Sequence, residues 1–534
     1  MRSAPALTLL LAAILLLPGC PGPKKGRGSA AGPASVAEHP VGTGPWKFKS
    51  WQRDQKIILV RNEAYWGEKP GAESLWMVPI KENAQRRAQL EHGSAHVLDG
   101  IRPLDAKYLA KRKNVEILHQ EGLAMAYLAM NTEREPFNNP KVRKAISLAI
   151  DKDKIIKANF QGYAKQAENA MPPGLLGYDE SVKPSAPDIA RAKALLAESG
   201  VSLPIKTELW HMPIPRPYMP EPKKIAILIK ESLARIGVEV ELVSWPWSIY
   251  LSKTKKGEHP MCLLGWTADV ADPDNFLYVL LSKDTIDSTN VSRYADEEVT
   301  KILREAQSTL DETRRAELYR QAQAKIREDA PIVPLVYADQ LMAYRKSVQG
   351  FSLHRTGHKD FSQVKFSGKS LIFARGGDAT KLDPALVDDG ESVAVTFSVY
   401  ENLVRYGRDN LKIEPSLAES WERSEDGLTW TFKLREGVTF HDGTPFNAEA
   451  VVVNFQRIID KNDPLHDPAI QNRSLYEPIR SVAATGSHTV VFKLERPVAA
   501  FLGNLTIYTA SIVSPTALRK AKGLKAPGKA DKGS

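Results

Sequence analysis

The residues of this 534-residue chain that could do chemistry are few, and their spacing argues against the commonest kinds of catalysis. No His-Glu-x-x-His, Gly-x-Ser-x-Gly or Gly-x-x-x-x-Gly-Lys-Ser/Thr run occurs, which removes the usual local signatures of zinc hydrolases, serine hydrolases and NTPases. His92/His96 and His354/His358 have four-residue spacing, but Gly93 and Gly357 interrupt any helix that could aim both rings at one metal, so no metal site is expected. Gly42-x-Gly44 runs into Pro45 with no helical pattern after it, which makes it a turn and not a phosphate cradle. Two cysteines, Cys20 and Cys262, supply neither a disulfide framework nor a thiolate metal site. Arg216 stands between Pro215 and Pro217 and is stiffly presented, and Asp269 shares a loop with Asp272 and Asp274, where turn aspartates are common. An enzyme is the rival reading to a binding protein, and no cofactor is called for.

The elements around these residues are those of a large globular protein. With 43% hydrophobic and 25% charged residues the chain can bury several cores, and two or three domains are expected. The net charge of +10 is not spread over the body: Arg2, Lys24, Lys25, Arg27 and the stretch 519–534 account for nine of those charges. These basic stretches carry Gly, Pro and Ala without interleaved aromatics, the composition of solvated tails, so nucleic acid is set aside as a partner.

Residues 1–20 have an early Arg2, an apolar run from Ala6 to Leu17 and then Pro18-Gly19-Cys20, the layout of an export signal and too short for a membrane span. Residues 21–36 read as a flexible Pro/Gly/Ala/Lys tether. In the body, strand, helix and strand alternate over 204–245: Pro222 suits a first turn, Ile225, Leu228, Ile229, Leu233 and Ile236 form one stripe, Gly237 is the expected stop, and Val238, Val240 and Leu242 alternate as a strand. A helix is expected over 188–199 with Gly200 as its cap, and two more over 296–328. Near the end, Leu428, Trp430, Phe432 and Leu434 alternate as a strand, Val438-Thr439-Phe440 reads as a short second one, and Asn447 is the expected N-cap of a helix over 448–459. The class is α/β.

Five stretches resemble the peptide-binding solute-binding proteins of ABC transporters (family 5), and most nearly the dipeptide-binding members. They are Asp426–Phe455, Pro40-Val-Gly-Thr-Gly-Pro-Trp46, Asn62-Glu-Ala-Tyr-Trp-Gly67, Val142-Arg-Lys-Ala-Ile146 and Gly265–Asn275. The resemblance implies a two-lobe, periplasmic-binding-protein-like (type II) fold with a hinged cleft between the lobes. The order is altered, because the family's usual beginning, near Lys369-Ser-Leu-Ile-Phe-Ala-Arg375, directly follows its usual end, near His354–Phe361. A circular permutation is therefore expected, with lobe I formed from about 37–126 and 338–519, lobe II from about 127–337, crossings near Tyr127–Asn131 and Val336–Asp339, and a polar tail over 520–534. Permutations are tolerated when the original ends are neighbours and the new break lies in an exposed loop.

The same resemblance implies the site. A dipeptide is a zwitterion, and taking it out of water requires a carboxylate for its ammonium and a planar cation for its carboxylate. Asp269 matches the residue that binds the peptide's amino terminus. Arg216 matches the one that binds the C-terminal carboxylate and limits ligand length. Tyr218, Trp247, Gly265 and Trp266 match the pocket lining, and Asp389 and Gly390 match a backbone-contacting turn of the other lobe, where two acids replace small hydroxyl residues. Cys20 matches the lipidated cysteine of bacterial lipoproteins, which implies a membrane-anchored monomer of the cell envelope that delivers dipeptides or short peptides to ABC permease subunits. The alternatives are another cargo on the same fold (a longer peptide, glutathione, haem or a nickel complex) and a surface lipoprotein with no role in transport.

Overall fold

Two strands, Val115–Met130 and Ile332–Arg345, have 16 and 14 residues, far beyond the usual length, and serve both halves of the molecule. In the computed structural model, which describes residues 35–524, they pair antiparallel from Arg345 opposite Val115 to Ile332 opposite Ala129. A mixed sheet is built around this ribbon. Its order is Trp46–Gln52, Lys56–Arg61, Ser74–Pro79, Ser370–Arg375, Val97–Leu98, Ile332–Arg345, Val115–Met130, Met261–Thr267, Ile205–Trp210, Val238–Val243, and Ala164–Gln166 pairs with Ile332–Arg345 off this path. Ser370–Arg375 is parallel to both of its neighbours. A second, antiparallel sheet has the order Ala418–Arg423, Thr429–Leu434, Thr489–Leu494, Ile479–Gly486.

The ribbon's ladder is broken in mid-course. Tyr337 pairs with Met125 but Asp339 with Glu121, which leaves Gly122–Ala124 out of register with the opposite strand. Leu123 bonds elsewhere: its N–H donates to the Arg355 carbonyl (3.0 Å) and its carbonyl accepts from Ala268 N–H (2.9 Å). A second shift lies nearer Tyr127, where Pro334 pairs with Tyr127 but Val336 with Ala126.

The buried side chains divide accordingly. One core is drawn from a continuous stretch, Leu123 to Ala338. A second takes residues from Ala385 to Ile512. The third joins distant parts of the chain, packing Trp46, Ile57, Leu59 and Leu75 with Phe361, Phe373, Val395 and Val513. Two lobes joined by strands common to both is the result.

Local signals account for most elements. Asp188 accepts from Arg191 N–H (2.8 Å) to start the helix Ile189–Ser199, and Gly200 ends it at φ 73°. The helix Pro222–Ala234 buries Ile225, Ile229 and Leu233, and stops before Gly237, which lies at φ 84°. Helices Glu297–Ser308 and Glu312–Asp329 fill 296–328, and Asn447 accepts from Ala450 N–H (3.0 Å) to cap Ala448–Ile459. Val438-Thr439-Phe440 forms no strand: Val438 and Phe440 are buried, but only Thr439 bridges, to Pro445, and Phe440 N–H closes a turn onto the Thr444 carbonyl. The helix Pro515–Ala521 includes the first two residues of the expected tail, 520 and 521. Residues 1–34, with the export signal, Cys20 and most of the tether, and residues 525–534 lie outside the described residues. Among the described residues no helix is long and apolar enough to cross a membrane.

The landmarks near residues 42 and 65 turn out to be packing devices. A Cβ on Gly44 would stand 2.7 Å from the Val399 carbonyl oxygen, to which Gly44 N–H donates (2.9 Å). Tyr65 O–H, Trp66 Nε1–H and Thr43 O–H all donate to the Glu401 carboxylate, at 2.8, 2.9 and 2.8 Å. Behind them, Arg457 grips Asp383 through two parallel bonds of 2.8 and 2.9 Å, with both side chains buried. Asp383→Ala strands that guanidinium out of water, and a loss of about 3–5 kcal/mol in denaturant unfolding is expected.

Candidate binding cleft

Four of the expected site residues assemble on one lobe. The backbones of Arg216 and Met219 exchange N–H···O bonds of 3.1 and 2.9 Å, closing a turn that folds Tyr218 onto the strand Met261–Thr267. The Tyr218 ring occupies the space over Gly265: a Cβ there would overlap the ring and stand 2.7 Å from the Met125 carbonyl oxygen. Burial pushes the Tyr218 phenol up to about 12. The Arg216 guanidinium lies over the Trp247 indole, 4.4 Å from the ring centroid, and Trp247 stacks on Tyr250 at 6.0 Å. Tyr250 O–H is fixed by the carbonyl of Leu263, 2.8 Å away, and so ties the stack to the strand that carries Gly265. Half-buried Arg216 has no hydrogen-bond acceptor or ion-pair partner for its side chain among the described residues, so all its donors remain free.

Trp266 and Asp269 are held by a residue whose role the sequence did not reveal. Asn275, at the start of the helix Asp274–Leu281, accepts from Trp266 Nε1–H (3.0 Å) and from Asp269 N–H (3.3 Å) with the same side-chain oxygen. The Asp269 carboxylate has no partner of its own among the described residues. The residue is exposed to solvent, yet the protein around it desolvates the carboxyl enough to hold it above its usual range. The neighbouring acid is differently used: Asp272 is locked onto Arg315 by a two-pronged bond of 2.7 and 2.8 Å.

Across the gap, Asp389 caps the helix Gly390–Val399. One oxygen accepts from Ser392 N–H and the other from Thr380 O–H, both at 2.8 Å, so its carboxylate is largely engaged in the fold. Asp388 is the exposed member of the pair, and a Cβ on Gly390 would meet nothing within 4 Å. Tyr508 is the group that senses both walls. Burial and then the charge of Asp269 push its phenol up to about 12, with smaller contributions from Asp388 and Asp389. Nothing in the sequence marked Tyr508, whereas Asn275 could have been found as the last residue of the Gly265–Asn275 run. The walls meet beside this gap, where Ala271 N–H donates to Tyr406 Oη and Ala499 N–H to the Gln307 carbonyl, both at 2.9 Å. No three His, Cys, Asp or Glu side chains converge as a metal site among the described residues.

A shared ribbon, two lobes and unspent charge beside the gap between them define a two-lobe solute-binding protein of the periplasmic type. The family model of bacterial extracellular solute-binding proteins, family 5 (middle), matches residues 6–288 and 412–533, and the chain belongs to this family. It is 35% identical over 332 residues to a di/tripeptide-binding protein 1 of Pseudomonas aeruginosa, an alignment covering 62% of either chain. It is 34% identical to a heme-binding protein A of Haemophilus influenzae, over 64% of this chain and 62% of that one. Among solved structures, the periplasmic binding protein DppA of Helicobacter pylori in complex with the peptide STSA is 36% identical, with TM-score 0.53 over 62% of this chain and 64% of that one.

Gly265→Ala tests the packing that seats Tyr218. Since the new methyl meets backbone as well as ring, a loss of about 1–3 kcal/mol in denaturant unfolding is expected, with a changed near-ultraviolet circular dichroism signal from the displaced aromatic cluster.

Proposed function

We propose that the protein captures dipeptides or short peptides in the cleft between its lobes and delivers them to the permease of an ABC importer. The observation that carries this reading is the free Asp269 carboxylate, exposed but partly desolvated beside the seam of the two lobes, with the free Arg216 guanidinium on the same lobe. In this reading Asp269 holds the ligand's ammonium and Arg216 its carboxylate. Tyr218, Trp247 and Trp266 line the space between, and the turn at Asp389 and Gly390 meets the peptide backbone from the other side. Side-chain selectivity is weak, because the grip is on charged ends and backbone. The protein works as a monomer without cofactor, outside the cytoplasm, exported by residues 1–20 and anchored through lipidated Cys20.

Lobe I is then formed by about 37–126 and 338–519, and lobe II by about 127–337, in circularly permuted order. Three features support that order. The family model matches in two separate segments. The junction at 361–369 is packed into the sheet, with Trp46 Nε1–H donating to the Phe361 carbonyl (3.2 Å) and Ser74 N–H to that of Lys369 (3.0 Å). The two ends of the described chain are neighbours, Ser514 N–H donating to the Val41 carbonyl at 3.0 Å. The relative named for haem keeps a second reading in view, in which the same cleft takes a different small ligand.

Thermal unfolding with and without added dipeptides is the test. A dipeptide at a hundred times its dissociation constant is expected to stabilise the protein by about 2.7 kcal/mol. N-acetylation of the dipeptide and Asp269→Ala should each abolish the shift, and Arg216→Ala should weaken it and admit tripeptides. A shift that survives both N-acetylation and Asp269→Ala removes Asp269 from the site.

A further inference from the structure

Asp274 occupies the lobe seam in a way that peptide binding does not require. It begins the helix Asp274–Leu281, its N–H donates to Asp272 Oδ1 (2.9 Å), and its Oδ2 accepts from the Gln307 side chain (3.2 Å). Its other oxygen, Oδ1, is buried and meets no hydrogen-bond donor among the described residues. Gln307 is also a point where the lobes touch, since its carbonyl accepts from Ala499 N–H at 2.9 Å. Val270, four residues before Asp274, presses on Gly503, where a Cβ would stand 2.7 Å from Val270 Cγ1, and Ala271 is bonded to Tyr406. Residues 499, 503 and 406 belong to one lobe and the 270–275 loop to the other. These contacts between the lobes stand beside the carboxyl, and they break when the lobes part.

We infer that Asp274 couples closure of the lobes to uptake of a proton, so that the closed form is favoured in acid and loosens as the pH rises. An ionised carboxylate with an orphaned oxygen is poorly tolerated out of water, while in the open form water solvates it. The groups around it leave this bias in place. Asp272, in the same loop, opposes its ionisation. Arg315 of the helix Glu312–Asp329 favours ionisation but is already committed to Asp272. Tyr319 of that helix and Tyr278 of its own helix are neutral phenols, and Gln307 of the helix Glu297–Ser308 is uncharged. From the opposite lobe comes the exposed Arg496, which pulls the other way. Burial, reinforced by Asp272, wins and raises the carboxyl to about 7.

The direction follows from linkage. A carboxyl raised in the closed form relative to the open one stabilises closure fully below its open-form value, and that contribution disappears as the pH rises through the closed-form value near 7. Between about pH 5.5 and 8.5 the ratio of closed to open protein is expected to change on the order of tenfold.

The inference rests on the two-lobe closing cleft but not on what the cleft binds, so it is tested without ligand. Small-angle X-ray scattering of the protein, with no peptide added, should give a smaller radius of gyration at about pH 5.5 than at about pH 8.5. Asp274→Asn, neutral throughout, should stay compact over the whole range, and Arg496→Gln should move the midpoint upward. A radius independent of pH in the unmutated protein overturns the inference, as does a pH response that persists in Asp274→Asn. The unmutated titration is decisive by itself if a variant fails to fold. A protein that ignores dipeptides in thermal unfolding yet compacts in acid would refute the proposed cargo and leave the proton coupling standing.

Discussion

Two strands that belong to two bodies at once can bend only where their ladder is broken, and elsewhere they transmit motion rigidly. In this protein Val115–Met130 and Ile332–Arg345 provide both conditions. Their paired ends are embedded in separate halves of the sheet, one beside Val97–Leu98 and the other beside Met261–Thr267. The slip around Gly122–Ala124 and Ala338 lies between them. A cleft on the axis of such a ribbon changes width when the ribbon flexes, with little cost to either core. Hinge closure of this kind is a common way for two domains to enclose a small molecule.

Charge is managed around that cleft by a consistent division. Groups that hold the fold together are paired on both sides: Arg457 with Asp383, Arg315 with Asp272, and Glu401 under three donors. Asp269 and Arg216 are positioned through their surroundings and leave their ionic groups unspent, the first by Asn275 on its backbone, the second by the Trp247 face. A carboxylate or guanidinium already satisfied by the protein has little to offer a ligand, because a new bond must replace an old one. Asp389 illustrates the contrast, with both oxygens engaged at a helix start while Asp388 beside it faces solvent.

Most local structure was legible because it is set by short-range physics. Asp188, Asn447 and Gly200 cap or stop helices by contacts within a few residues, and the alternation at Trp430, Phe432 and Leu434 reports one buried face. Val438-Thr439-Phe440 has the same alternation but no neighbouring strand to complete a ladder, which three residues cannot announce. The slips in the ribbon are hidden for a related reason: nothing in Gly122–Ala124 or at Tyr127 reveals where the opposite strand changes register. Within the site, residue types carried the resemblance, but their service did not. The sequence offers Asn275 as the end of a motif, and only the fold shows one oxygen steadying both Trp266 and Asp269. Tyr508 was invisible because its importance comes from standing near acids that are far away in the chain.

The position of Ser370–Arg375 has a consequence for how such a chain is made. This strand lies between Ser74–Pro79 and Val97–Leu98, so a nascent polypeptide emerging in order carries an open slot in that sheet until its last third arrives. The core that runs from Leu123 to Ala338 needs no such late partner. During vectorial synthesis that half can consolidate first, while exposed edges on the other half wait for the insertion that seals them.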